Sequence, residues 1–126
     1  MNDAIRAQVA NRAGHRCEYC RLHEDDDVYS FHVEHIIPLK HDGADGLENL
    51  AFACQHCNLH KGSNLSGIDP TTDKIVRLFD PRRDEWDAHF AVEGFQFLGR
   101  TPVGRATARV LAINDIDRVR LRSALQ

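Results

Sequence analysis

The chain has 126 residues, enough for one domain and short for two. With 42% hydrophobic and 28% charged residues it has the composition of an ordinary soluble protein, and no apolar run is long enough to span a membrane. The net charge of −3 does not advertise a nucleic-acid partner, yet it does not exclude one, because basic side chains can cluster locally. The charge is also uneven. Residues 1–60 carry five Lys and Arg against ten Asp and Glu; residues 61–126 carry eleven against nine. The acidic run Glu24-Asp25-Asp26-Asp27 reads as a solvated loop. The start, Met1-Asn2-Asp3-Ala4-Ile5-Arg6, lacks the basic-then-apolar pattern of a secretory signal, so a cytoplasmic location is expected.

Residues 3–13 are predicted to be helical. Ile5, Val9 and Ala13 recur at helical spacing, and Gly14 follows as a stop. Cys17 to Cys20 is expected to form a tight turn. Residues 31–37 are rich in β-branched and aromatic side chains and read as a strand. Residues 38–46 contain Asp42-Gly43 and Asp45-Gly46 and read as a loop. Residues 50–53 suggest a short second strand, and residues 55–61 one or two helical turns ended by Gly62. Residues 63–70 read as a linker and residues 74–79 as a strand broken by Asp80-Pro81. Phe90 and Val92, then Phe95 and Phe97, alternate about Glu93-Gly94, which predicts a hairpin. Thr101-Pro102 is a helix start, with Thr as cap and Pro in the first turn. That helix is expected to reach about residue 113, with another over 115–125. The fold class is therefore α+β.

The four cysteines, Cys17, Cys20, Cys54 and Cys57, form two C-x-x-C pairs with 33 residues between them. Without a secretory signal, this pattern reads as metal binding before disulfides. Zinc takes four ligands in a tetrahedron, and two such turns close its shell with no open position. A closed four-cysteine site is structural and does not itself imply catalysis.

The segment between the pairs carries the functional evidence. It reads Phe31-His32-Val33-Glu34-His35-Ile36-Ile37-Pro38, then Gly46-Leu47-Glu48-Asn49-Leu50; the second pair continues as Cys54-Gln55-His56-Cys57-Asn58-Leu59-His60-Lys61-Gly62. An acidic residue and a His, then I-x-P, then N-L, then C-x-x-C-N-x-x-K-G resembles the HNH endonucleases. The resemblance covers about residues 17–62. It implies a ββα-metal (His-Me finger) core over about residues 14–65, with residues 66–126 as a C-terminal extension of one nuclease domain spanning 1–126.

Carried over by position, the resemblance implies that His35 is the general base. Glu34 and Asn58 match ligands of a catalytic Mg²⁺ or Mn²⁺. Asn49 matches the middle residue of the motif, which orients the histidine-bearing loop. The final position is His in many members, so Asn58 makes this an H-N-N variant. The residue types suit phosphodiester hydrolysis. A neutral imidazole takes a proton from water near pH 7, and carboxylate and amide oxygens are hard donors suited to Mg²⁺ or Mn²⁺. Adjacent strand residues face opposite ways, so Glu34 and His35 can share a site only if the strand twists or ends there.

His60 is an additional candidate metal ligand and Lys61 a candidate phosphate contact, its plainer reading being a cation at a helix C-terminus. His32 shares a strand face with Glu34; His41 and His56 read as surface residues. Trp86, Phe90, Phe95 and Phe97 read as core. Arg105 with Arg109, and Arg118 with Arg122, each share a helix face and could contact a DNA backbone or pair with nearby acids. The expectation is a metal-dependent endonuclease acting on DNA, with structural Zn²⁺ and catalytic Mg²⁺ or Mn²⁺. The alternatives are a catalytically silent zinc module that binds nucleic acid or protein, and a nuclease toxin or effector domain.

Overall fold

A computed structural model describes residues 2–126 and divides the chain into two compact units, 1–63 and 64–126. Among the described residues no helix is long and apolar enough to cross a membrane.

The first unit begins with α1 (Asp3–Arg12). Asn2 caps it, its side-chain oxygen accepting from Ile5 N at 2.9 Å, and Gly14 leaves it at φ +64°. Strands β1 (His32–His35) and β2 (Leu50–Ala53) pair antiparallel, with His35 opposite Leu50 and His32 opposite Ala53. All four β2 residues are fully buried. A two-stranded ribbon is marginal alone, and here α1 packs against β2 while α2 (Gln55–Lys61) packs against β1. The hairpin and α2 are the ββα core. Arg12 fastens α1 to the hairpin by donating to the carbonyls of Leu47 (2.9 Å) and Leu50 (2.6 Å). Gly62 ends α2 with φ +52°.

The second unit contains two hairpins, β3 (Ser66–Ile68) with β4 (Ile75–Arg77) and β5 (Phe90–Glu93) with β6 (Gln96–Gly99). Between them lies a single helical turn, α3 (Trp86–His89). Helix α4 (Pro102–Val110) packs on β3, β4 and β6, and α5 (Ile116–Ala124) follows. Thr101 caps α4 as its sequence predicts, accepting from Gly104 N at 3.0 Å. Leu78, Phe79, Phe90, Phe97, Ala106, Leu111 and Ile113 form the core, while Trp86 and Phe95 are half-buried. The segment expected to be a linker contributes β3, because Gly67 lets this strand lie against Val110 of α4: a Cβ there would be 2.4 Å from Val110 Cγ2.

Candidate active site

The C-x-x-C turns converge as their spacing requires. The four sulfurs, all buried, lie within 4.8 Å of one another, and Cys20 Sγ is 3.7 Å from Cys54 Sγ. Zinc–sulfur bonds of about 2.3 Å would place sulfurs about 3.8 Å apart along a tetrahedral edge, so the cluster fits one such ion. The all-sulfur donor set suggests zinc. No pair is joined as a disulfide. Burial pushes the Cys17 thiol well up, and contact with the other sulfurs, Cys17 first, pushes Cys57 the same way. Contact with Cys17 and the other sulfurs pulls the Cys20 thiol well down, so filling the site displaces protons chiefly from Cys17 and Cys57. The first turn is tied to β2 by reciprocal 2.8 Å bonds: Glu18 N donates to Phe52 O, and Phe52 N donates to Glu18 Oε2.

His35 ends β1 with 19% of its side chain exposed. Its Nε2 meets Asp45 Oδ1 at 2.8 Å. Asn49, 7% exposed, holds the intervening loop with its side chain. Its Oδ1 accepts from Ile37 N (2.8 Å), and its Nδ2 donates to Ile37 O (3.0 Å) and Ala44 O (2.7 Å). The loop closes so tightly that a Cβ on Gly43 would stand 1.6 Å from Ile37 O. Asp42 takes the left-handed conformation just before it, at φ 62°.

Glu34 and Lys61 depart from their expected roles. As neighbours on a strand, Glu34 and His35 point to opposite faces, Glu34 buried and His35 half-buried. Glu34 accepts a hydrogen bond from the buried Tyr19 hydroxyl and pairs with Lys61 Nζ at 3.1 Å. Lys61 is 2% exposed and also donates to Ile36 O at 2.9 Å and His35 O at 3.3 Å. It is an internal clamp between α2 and the end of β1, not a cation presented to phosphate. Burial raises the Glu34 carboxyl above its ordinary value, with the Lys61 charge and the Tyr19 hydrogen bond pulling the other way. Both Glu34 oxygens are thus engaged by protein groups, so a cation would have to take the place of Lys61 or of the Tyr19 hydroxyl to be bound there.

Asn58 is half-buried on α2, three residues before Lys61 and so on a neighbouring part of the same helix face. His60 is exposed, its Nδ1–H donating to His56 O at 2.8 Å and its ring 4.1 Å from that of His56. His32 and His41 are exposed. Among the described residues, the four cysteines are the only group of three or more Cys, His, Asp or Glu placed to hold one metal ion.

Residues 17–64 match the family model for HNH endonucleases. This segment is an HNH domain. The Septu protein PtuB of Bacillus thuringiensis is 26% identical over 119 residues, covering 91% of this chain and 43% of that protein. The chain thus spans less than half the length of this relative. No solved structure matches.

Two partners in the HNH domain escaped the sequence reading. Asp45 looked like a turn residue, and Tyr19 had no signal beyond its place inside a C-x-x-C turn. In the second unit, two of the arginines weighed as DNA contacts are consumed internally. Arg105 forms a two-pronged pair with the fully buried Asp69, both contacts 2.9 Å. Arg122 donates to Phe95 O (2.7 Å) and Ile113 O (2.9 Å) and lies 4.5 Å over the Phe97 ring.

Proposed function

We propose that this protein is an endonuclease that hydrolyses phosphodiester bonds in DNA, with His35 as general base and a zinc ion in the four-cysteine cluster. The observation that carries the reading is the built setting of His35. An HNH domain offers its imidazole at a strand end, and Asn49 fastens the following loop by three hydrogen bonds. Such fixed geometry is what proton transfer from water demands. His35 takes the proton as the water oxygen attacks phosphorus and the bond to the leaving oxygen breaks, the leaving oxygen taking a proton from solvent. Asn49 orients the loop and does not touch the reacting atoms. The resemblance implies Mg²⁺ or Mn²⁺ as well. Asn58 retains an amide oxygen suited to it, whereas Glu34 is committed to Tyr19 and Lys61, so the steps assigned here belong to protein side chains alone. The functional unit proposed is the whole chain, core 14–65 with extension 66–126. A cytoplasmic site of action accords with a cluster of reduced thiols.

Plasmid nicking by zinc-loaded protein tests this, with Mg²⁺ or Mn²⁺ supplied. His35→Ala is expected to lower turnover by at least about a hundredfold, the scale of a lost general base, with zinc content unchanged. No cutting by folded, zinc-loaded wild type with Mg²⁺, Mn²⁺, Co²⁺ or Ni²⁺ refutes the enzyme reading. The buried Glu34–Lys61 pair favours one competitor, a zinc module that binds nucleic acid or protein without cutting. Tight DNA binding by that inert protein would establish it.

A further inference from the structure

We infer that Asp45 is a positioning residue for His35: it holds the imidazole as the Nε2–H tautomer and so leaves Nδ1 as the nitrogen that accepts the proton. The inference rests on the reading of His35 as the base, and three features of the loop support it.

The first is the contact itself, Nε2 to Oδ1 at 2.8 Å. A carboxylate has only acceptors, so the proton in that bond belongs to Nε2. A neutral imidazole carries one ring proton, which leaves the lone pair on Nδ1.

The second is how the backbone delivers Asp45. The carbonyl of Ala44, just before it, accepts from Asn49 Nδ2 at 2.7 Å, and the carbonyl of Gly46, just after it, accepts from Asn49 N at 2.9 Å. One residue therefore ties both flanks. The loop then returns to the strand end through Asn49 Nδ2 on Ile37 O and through the close approach of Gly43 to the same carbonyl. Asp45 and His35, ten positions apart, meet across a loop pinned on both sides.

The third is exposure. Asp45 is 81% exposed and His35 19%. A contact this open contributes little to stability; its consequence, on a loop that Asn49 already pins, is the orientation of the ring. A fixed acceptor chooses the tautomer and steadies the imidazolium formed on proton transfer, the logic of the carboxylate in a Ser-His-Asp triad.

The test compares wild type with Asp45→Ala, a change at an exposed side chain, both zinc-loaded. Long-range ¹H–¹⁵N spectra of the histidine rings, recorded near pH 8, read the tautomer without any need for activity. The expected result is Nε2–H for His35 in wild type and a mixture in the variant, with backbone spectra otherwise superposable. In plasmid nicking, turnover should fall about ten- to a hundredfold, less than for a buried triad carboxylate, with KM and the half-maximal Mg²⁺ concentration unchanged. An unchanged tautomer, or unchanged turnover, overturns the inference. A raised Mg²⁺ requirement also overturns it, because Asp45 would then be acting on a metal. The base reading fails separately, through His35→Ala that cuts as well as wild type.

Discussion

Lys61→Met is the sharpest perturbation of this fold, because it removes a charge from a site with almost no water. The Lys61 and Glu34 side chains are 2% and 5% exposed. The substitution keeps most of the aliphatic volume but deletes three contacts of Nζ: Glu34 Oε2 at 3.1 Å, Ile36 O at 2.9 Å and His35 O at 3.3 Å. Removing one partner of a buried pair costs about 3–5 kcal/mol, chiefly because the other charge is left uncompensated. That is comparable to the stability of many whole domains. Zinc binding in small domains supplies about 10–16 kcal/mol, so the loaded variant is expected to stay folded and measurable.

The pH dependence has a definite sign. Burial already holds the Glu34 carboxyl above its ordinary value, and Lys61 is the first of the influences that lower it. Without Lys61 it rises further. A group with a raised folded-state pKa stabilises most below its unfolded value, and that contribution is lost as pH climbs through the folded value. The deficit of Lys61→Met against wild type should therefore be larger at pH 8 than at pH 5. Native-state hydrogen exchange at the buried amides of β2 reads this unit separately from the second. Glu34→Gln combined with Lys61→Met should recover most of the loss, since no buried charge remains. A deficit under about 1 kcal/mol at pH 8, or one equal at both pH values, would refute the buried-pair argument. Nicking by the recovered double variant then assigns Glu34: retained cutting makes it structural, and lost cutting makes its carboxylate part of the reaction.

Metal analysis should find about one zinc per chain, and strong chelation should unfold the first unit while leaving that of residues 64–126 intact, followed by the Trp86 fluorescence of the latter. Less than about one zinc, or no change in first-unit exchange on chelation, contradicts the cluster. Asn49→Ala should loosen residues 37–44, measured as faster amide exchange at Ile37, whose N–H the side chain accepts. It should also lower nicking by about a hundredfold, the scale of a small misplacement of catalytic groups. Unaltered exchange at Ile37 would remove Asn49 from its orienting role.

Local signals were legible in the chain. The C-x-x-C turns met, Thr101 capped its helix, and residues 50–53 and 55–61 formed the strand and helix that their composition suggested. Spacing and end signals act over a few residues, so sequence alone carries them. β3 and α3 were missed because each is only three or four residues long, and β3 is stabilised by packing on α4 rather than by its own residues.

The faces and partners of the charged groups came from the packing. Glu34 and Lys61 are 27 positions apart, and Asp45 and His35 ten; no local pattern says that the first pair would be interior or that the second would touch. Residue order was enough to set the metal clamp and the ββα order; the strand expected over residues 31–37 ends at His35 in the structure. It took the packing of α2 on β1, and the loop closed by Asn49, to turn Glu34 inward to Lys61 and to set His35, on the opposite face, against Asp45. The physical reason is that a strand sends neighbouring side chains to opposite faces, but which face becomes interior depends on what covers it.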